Sequence, residues 1–175
     1  MTLRCSRTDW EIYKEYWRFY RSGQFVHYFG CPEDWWRGSK LDADLGARYA
    51  PGEALEIIMV LYRMTEILEF ASRLAQKNVF ENQALLTIEA QGMKGRSLIQ
   101  LGNTLFNAFG EYVSQQPSFK FESTFDVQDL IGKSDVLALE EALRVYELFN
   151  WRKARLPNNV SMMRDQQRKL IERRL

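Results

Sequence analysis

The run Phe119-Lys120-Phe121-Glu122-Ser123-Thr124-Phe125-Asp126 alternates large apolar and polar side chains with a period of two. Successive side chains of a strand point to opposite faces, so this pattern describes a β-strand with one face buried and one wet. A strand of that kind demands a second layer to cover its rings. The second layer is also visible: from Pro51-Gly52-Glu53 to about Lys77, the residues Ala54, Ile57, Leu61, Met64, Leu68, Ala71 and Ala75 recur at helical spacing, with Ile58 and Leu74 widening the stripe. The pair predicts an α+β fold: a small three- or four-stranded sheet, centred on Phe119–Phe125, packed with helices on at least one face, with the 52–77 helix laid across it.

Other elements follow from local signals. Thr8-Asp9-Trp10-Glu11 has the form of a capping box, and Trp10, Tyr13, Trp17 and Tyr20 recur at three- and four-residue spacing, which predicts a first helix that ends at Gly23. Phe25, Val26, Tyr28 and Phe29 predict a strand over 24–30, followed by an irregular connection from Cys31 to Pro51. Residues 84–90 read as a second strand. Residues 97–100 fit either a return strand or the start of a helix, with a helix expected from about Asn103 to Gln115. Ser134 is placed to cap a helix that buries Val136, Leu139, Leu143 and Tyr146. Leu156-Pro157-Asn158-Asn159 breaks that helix, and a basic final helix is expected over 160–175. The chain's 175 residues fit one domain spanning 1–175, large enough to hold a core without disulfides or metal.

The two cysteines, Cys5 and Cys31, match no metal spacing, and His27 is the sole histidine. No metal or cofactor is expected. Free thiols and the lack of a basic start leading into an apolar run predict a cytoplasmic protein without a secretory leader. The apolar stretch Ala54–Leu61 is interrupted by Glu56 and falls well short of the roughly 20 residues a membrane span requires, so no membrane partner is expected.

Charge is unevenly placed. From Trp151 onward, Arg152, Lys153, Arg155, Arg164, Arg168, Lys169, Arg173 and Arg174 stand against Asp165 and Glu172, eight minus two, or +6; the net charge of +1 leaves −5 for the first 150 residues. Such a tail could neutralise phosphates, with Arg152, Lys153, Arg155, Arg164, Arg168 and Lys169 as nucleic-acid contacts; alternatively, it pairs with the acidic body. Trp35 and Trp36, preceded by Glu33 and Asp34, could stack a base or a sugar, or fold back onto the core. Gly92-Met93-Lys94-Gly95-Arg96-Ser97 has the glycines and cations of an anion-binding turn, but Arg96 stands where a Walker loop requires lysine. His27 could serve as a general base, or be an ordinary strand histidine. Candidate ligand or partner residues are therefore Trp35, Trp36, His27, Lys94 and Arg96, and no catalytic set is assigned.

The segments Tyr20-Arg21-Ser22-Gly23-Gln24-Phe25-Val26-His27 and Pro32-Glu33-Asp34-Trp35 resemble a region of bacterial proteins that carry an AlbA/Schlafen-type DNA-binding domain at the N-terminus. Tyr62-Arg63-Met64-Thr65-Glu66-Ile67 and Gly95-Arg96-Ser97-Leu98 resemble the same context, so the similarity covers most of the chain. It implies a C-terminal accessory domain of a regulatory or defence-related system and supplies no active residue. The expected function is a non-catalytic interaction or sensing domain. Its partner would be another protein or a DNA-binding domain of the same system, and a homodimer is compatible with the abundant aromatics. A nucleic-acid-binding module using the basic helix and the aromatic loop is the first alternative; an enzyme with a site near His27, Glu33 and Arg96 is the second.

Overall fold

The computed structural model describes residues 2–10, 13–39, 42–45, 48–101 and 111–173, with only the backbone described at 2–4 and 44. The architecture is mixed α+β, as the alternation and the helical stripe require. The chain divides into two compact units, Met1–Leu55 and Glu56–Leu175.

The first unit is built on an antiparallel meander of β1 (Thr2–Trp10), β2 (Tyr13–Tyr20) and β3 (Phe25–Phe29), in that order across the sheet. The helix expected from the Thr8 capping box is therefore two strands. Trp10, Tyr13 and Trp17 are spaced to share a helical face, yet they also share one face of a sheet whose other face carries Tyr16 and Tyr20. The competition is settled by partners in β3: Tyr16 lies opposite Tyr28, Trp17 opposite His27 and Phe19 opposite Phe25. Each such cross-strand pair stabilises by roughly 0.2–1 kcal/mol, and aromatic residues fit a pleated surface better than a helix. Gly23, expected as a helix stop, is instead the turn residue of the β2–β3 hairpin. Its φ of 85° is a left-handed conformation, and its N–H donates to the Tyr20 carbonyl at 3.1 Å.

After β3 the chain makes a single 3-10 turn, Pro32–Asp34, and a short helix α1 (Asp42–Leu45). The Glu33 carbonyl accepts from Gly52 N at 3.0 Å, which ties the far end of this connection back to its start. A three-residue strand, β4 (Ala54–Glu56), leads into the second unit.

Helix α2 (Ile57–Gln76) starts later than the sequence suggests, because Glu56 serves as its N-cap, accepting from Met59 N at 2.6 Å. Ile57, Leu61, Met64, Leu68 and Ala75 are buried as the stripe requires, together with Val60. The stripe packs chiefly against another helix, α3 (Val127–Leu148), rather than across a sheet. Strands β5 (Gln83–Gln91) and β7 (Ser118–Asp126) pair antiparallel in register, Ala84 to Phe125 and Ala90 to Phe119. Among the described residues they form a two-stranded sheet, not the three- or four-stranded one expected around Phe119–Phe125, and the three-stranded sheet is that of the first unit. The inward positions of both strands alternate with exposed ones, as the Phe119–Phe125 pattern predicts. Residues 97–99 form a short strand, β6, and Ser97 bridges to Val113. The helix expected over 103–115 lies outside the described residues up to 110, and from 111 to 115 the chain is not helical.

Lys133 is non-helical (φ −143°, ψ 24°) and divides α3 at a kink, so a helical segment begins at Ser134 as the sequence predicts; the Ser134 hydroxyl donates to Glu69 of α2. Leu139, Leu143 and Tyr146 are buried as expected, whereas Val136 is exposed. The final helix, α4 (Pro157–Ile171), begins three residues before the expected Val160, with proline in the first turn, where its missing N–H costs nothing. Gln167 of α4 is buried and donates to Thr65 of α2 and to the Asp135 carbonyl of α3, both at 3.0 Å, locking three helices together. No helix among the described residues is long and apolar enough to cross a membrane.

Candidate functional site

The two faces of the β1–β2–β3 sheet differ in chemistry, and the difference follows from the alternation of residues along β2. Glu15, Trp17 and Phe19 share one face with Phe25, His27 and Phe29 of β3. This face is a string of half-buried rings: Trp17 to Phe25 at 6.2 Å, Phe19 to Phe25 at 6.3 Å, Phe25 to His27 at 6.0 Å and His27 to Phe29 at 5.2 Å between centroids. His27 Nε2 lies 3.5 Å from a carboxylate oxygen of Glu15.

The opposite face carries Lys14, Tyr16, Arg18 and Tyr20 from β2, with Val26 and Tyr28 from β3 and Cys5, Arg7 and Asp9 from β1. Arg7, Tyr16 and Tyr28 form a row straight across the three strands. The Tyr16 and Tyr28 ring centroids are 6.2 Å apart, and Tyr28 is 66% exposed. The Arg18 guanidinium carbon lies 5.6 Å from the Tyr16 centroid and 5.8 Å from that of Tyr20, and Arg18 donates to the Tyr20 hydroxyl at 3.3 Å. That hydrogen bond is the main cause that raises the guanidinium further above its ordinary value. Asp9 is the one carboxylate among the described residues of this face. It is held by Lys14 and Arg7, which lower its carboxyl below the ordinary value, Lys14 first.

The residues singled out by sequence are spread over the molecule. His27 is on the half-buried face, beside Glu15. Trp35 is partly exposed, and its ring lies against the backbone of Gly30, where a side-chain carbon would approach within 2.1 Å of it. Trp36 is buried, its indole N–H without a hydrogen-bond partner among the described residues; a ring so placed offers no stacking face. Lys94 and Arg96 belong to the second unit. Lys94 is exposed, while Arg96 is buried and its Nε donates to the Gly92 carbonyl at 2.8 Å, so the cation stabilises its own turn.

The basic tail is partly neutralised by its own unit. Arg155 pairs with Glu140 at 2.8 Å and with Glu147, and these two acceptors raise its guanidinium above the ordinary value, Glu147 first; Arg168 pairs with Asp165. Arg152, Lys153, Arg164 and Lys169 are exposed. A shallow cleft of about 430 Å³ in the second unit is lined by Phe119, Phe121, Lys120 and Arg144, among others. Its arginine is already engaged, lying 4.4 Å from the Phe121 centroid and bonded to Ser123 and the buried Glu141.

The residues that the sequence reading missed are Tyr16, Arg18 and Tyr28. The signal that could have found them is the density of aromatic residues in YKEYWRFY, immediately before a glycine turn and a second aromatic run, which is a hairpin signature. Comparison of the chain with protein-family models, with curated proteins and with solved structures finds no match.

Proposed function

We propose that the chain is a non-catalytic interaction module that meets its partner through the Tyr16–Arg18–Tyr28 face of the first unit. The observation that carries this reading is the exposure of Tyr28 beside Tyr16 and a ring-flanked arginine. Tyrosine and arginine are the residues that interfaces concentrate, because each offers a large contact area with a polar tip. The resemblance to proteins with an AlbA/Schlafen-type domain supports an accessory role beside a DNA-binding domain, in a bacterial regulatory or defence-related system. Cys5 and Cys31 form no disulfide, which is in keeping with a reducing cytoplasm.

The test is site-specific photo-crosslinking in cells with a reactive residue in place of Tyr28, compared with Leu85, which is equally exposed at 66% but lies on β5. Adducts at position 28 and not at 85 support the reading. Equal yields at the two positions, or none at 28, contradict it.

A further inference from the structure

We propose that the same face binds single-stranded nucleic acid, with bases stacked on Tyr16 and Tyr28 and the phosphate backbone met by Arg18 and Arg7. This deepens the reading above and rests on that face being the interaction surface. Three observations carry it. The Tyr16 and Tyr28 rings stand side by side, 6.2 Å between centroids, on adjacent strands, a platform of fixed spacing that no loop movement must assemble. Tyr28 is exposed and Tyr16 half-buried, and base stacking on accessible rings tolerates any sequence, because every base has a π-face. Second, Arg18 makes no ion pair with a carboxylate among the described residues, and its place between two tyrosine rings orients the guanidinium without neutralising it. Third, among the described residues the face carries Arg7, Lys14 and Arg18 against Asp9, so these groups are net positive even after Arg7 and Lys14 have met that carboxylate.

A single strand fits these features better than a duplex does. A duplex keeps its base faces within the stack and would leave the two rings unused, whereas a single strand presents them. The basic tail is a weaker candidate for the same ligand. It presents exposed cations, but α4 carries no exposed aromatic ring among its described residues on which a base could stack.

The experiment is fluorescence anisotropy of the full chain with a labelled oligo-uridylate, a labelled oligo-thymidylate and a labelled duplex of equal length. At least one single strand is expected to bind more tightly than the duplex, and the preferred sugar identifies RNA or DNA as the source. Tyr28→Ala should weaken binding about fivefold to over a hundredfold, the range for losing one stacked base, while Tyr28→Phe keeps the ring and the affinity. Arg18→Ala should lower the slope of log affinity against log salt by about one. Leu85→Ala, an equally exposed change elsewhere, should have no effect. Failure of both single strands to bind at low salt would overturn the proposal. So would binding that ignores Tyr28→Ala but vanishes when Arg164, Arg168 and Lys169 are neutralised together. If the oligonucleotides fail while crosslinks at position 28 persist, resist nuclease and yield to protease, the interaction surface stands and the nucleic-acid ligand falls. If the crosslinks fail as well, both fall.

Discussion

The Tyr146 hydroxyl donates to the Ile57 carbonyl oxygen at 2.8 Å, joining the end of α3 to the start of α2 across 89 residues of sequence. Both residues are buried, and the bond fixes the register in which the two longest helices of the second unit pack.

Tyr146→Phe should therefore destabilise the protein by about 0.5–1.5 kcal/mol at neutral pH, measured by urea unfolding. Burial, and then the nearby Glu56 charge, raise the Tyr146 phenol well above its ordinary value. The unfolded chain thus ionises this tyrosine first, and its contribution, complete below about pH 10, is lost as pH rises beyond it. The stability gap between wild type and Tyr146→Phe should narrow in alkali. A gap that stays constant from neutral pH to strong alkali would show that this phenol is not shielded.

Gly30 allows the Trp35 ring to lie on the backbone, and a methyl group there would collide with it. Gly30→Ala should cost about 1–3 kcal/mol of stability, the usual range for forced overpacking. In a Trp35→Ala background the same change should cost far less. A double-mutant cycle by thermal or urea unfolding measures the coupling, and additivity would place the ring elsewhere.

Gln167 satisfies Thr65 and the Asp135 carbonyl from a buried position. Gln167→Ala should destabilise by roughly 1–3 kcal/mol, because it leaves buried polar groups without partners. It should also release α4 locally, seen as faster amide exchange over 157–171. Unchanged exchange there would mean that α4 is held by apolar contacts alone.

How much of this was legible in the sequence differs between the units. In the second unit, period and burial agree. The Phe119–Phe125 alternation gives β7, and the Ile57–Ala75 stripe gives α2, because each pattern fits one element and contradicts the other. Ser134 carried a true local signal: a helical segment begins there, joined through a kink at Lys133 to a preceding segment that the sequence reading did not foresee. In the first unit, Trp10, Tyr13 and Trp17 have the spacing of one helical face, yet with Trp10 paired opposite Tyr13 they also share one face of the antiparallel β1–β2 pair. Only Tyr28, His27 and Phe25, brought opposite β2 by the Gly23 turn, decide between them. The candidate site was hidden by the same ambiguity. A helical reading gathers Tyr13, Trp17 and Tyr20 on one side, whereas the strand places Tyr16, Arg18 and Tyr20 together and turns Tyr13 and Trp17 away.

The most direct test of the Tyr16–Arg18–Tyr28 face as the contact surface compares two equally exposed rings on opposite faces of one sheet. Tyr28 and Trp10 are each 66% exposed, and the strand alternation turns them to different sides. With a photoreactive residue substituted at each in turn, irradiation in cells should give adducts at 28 and little or none at 10. Adducts confined to position 10, or equal at both, would contradict the assignment of that face.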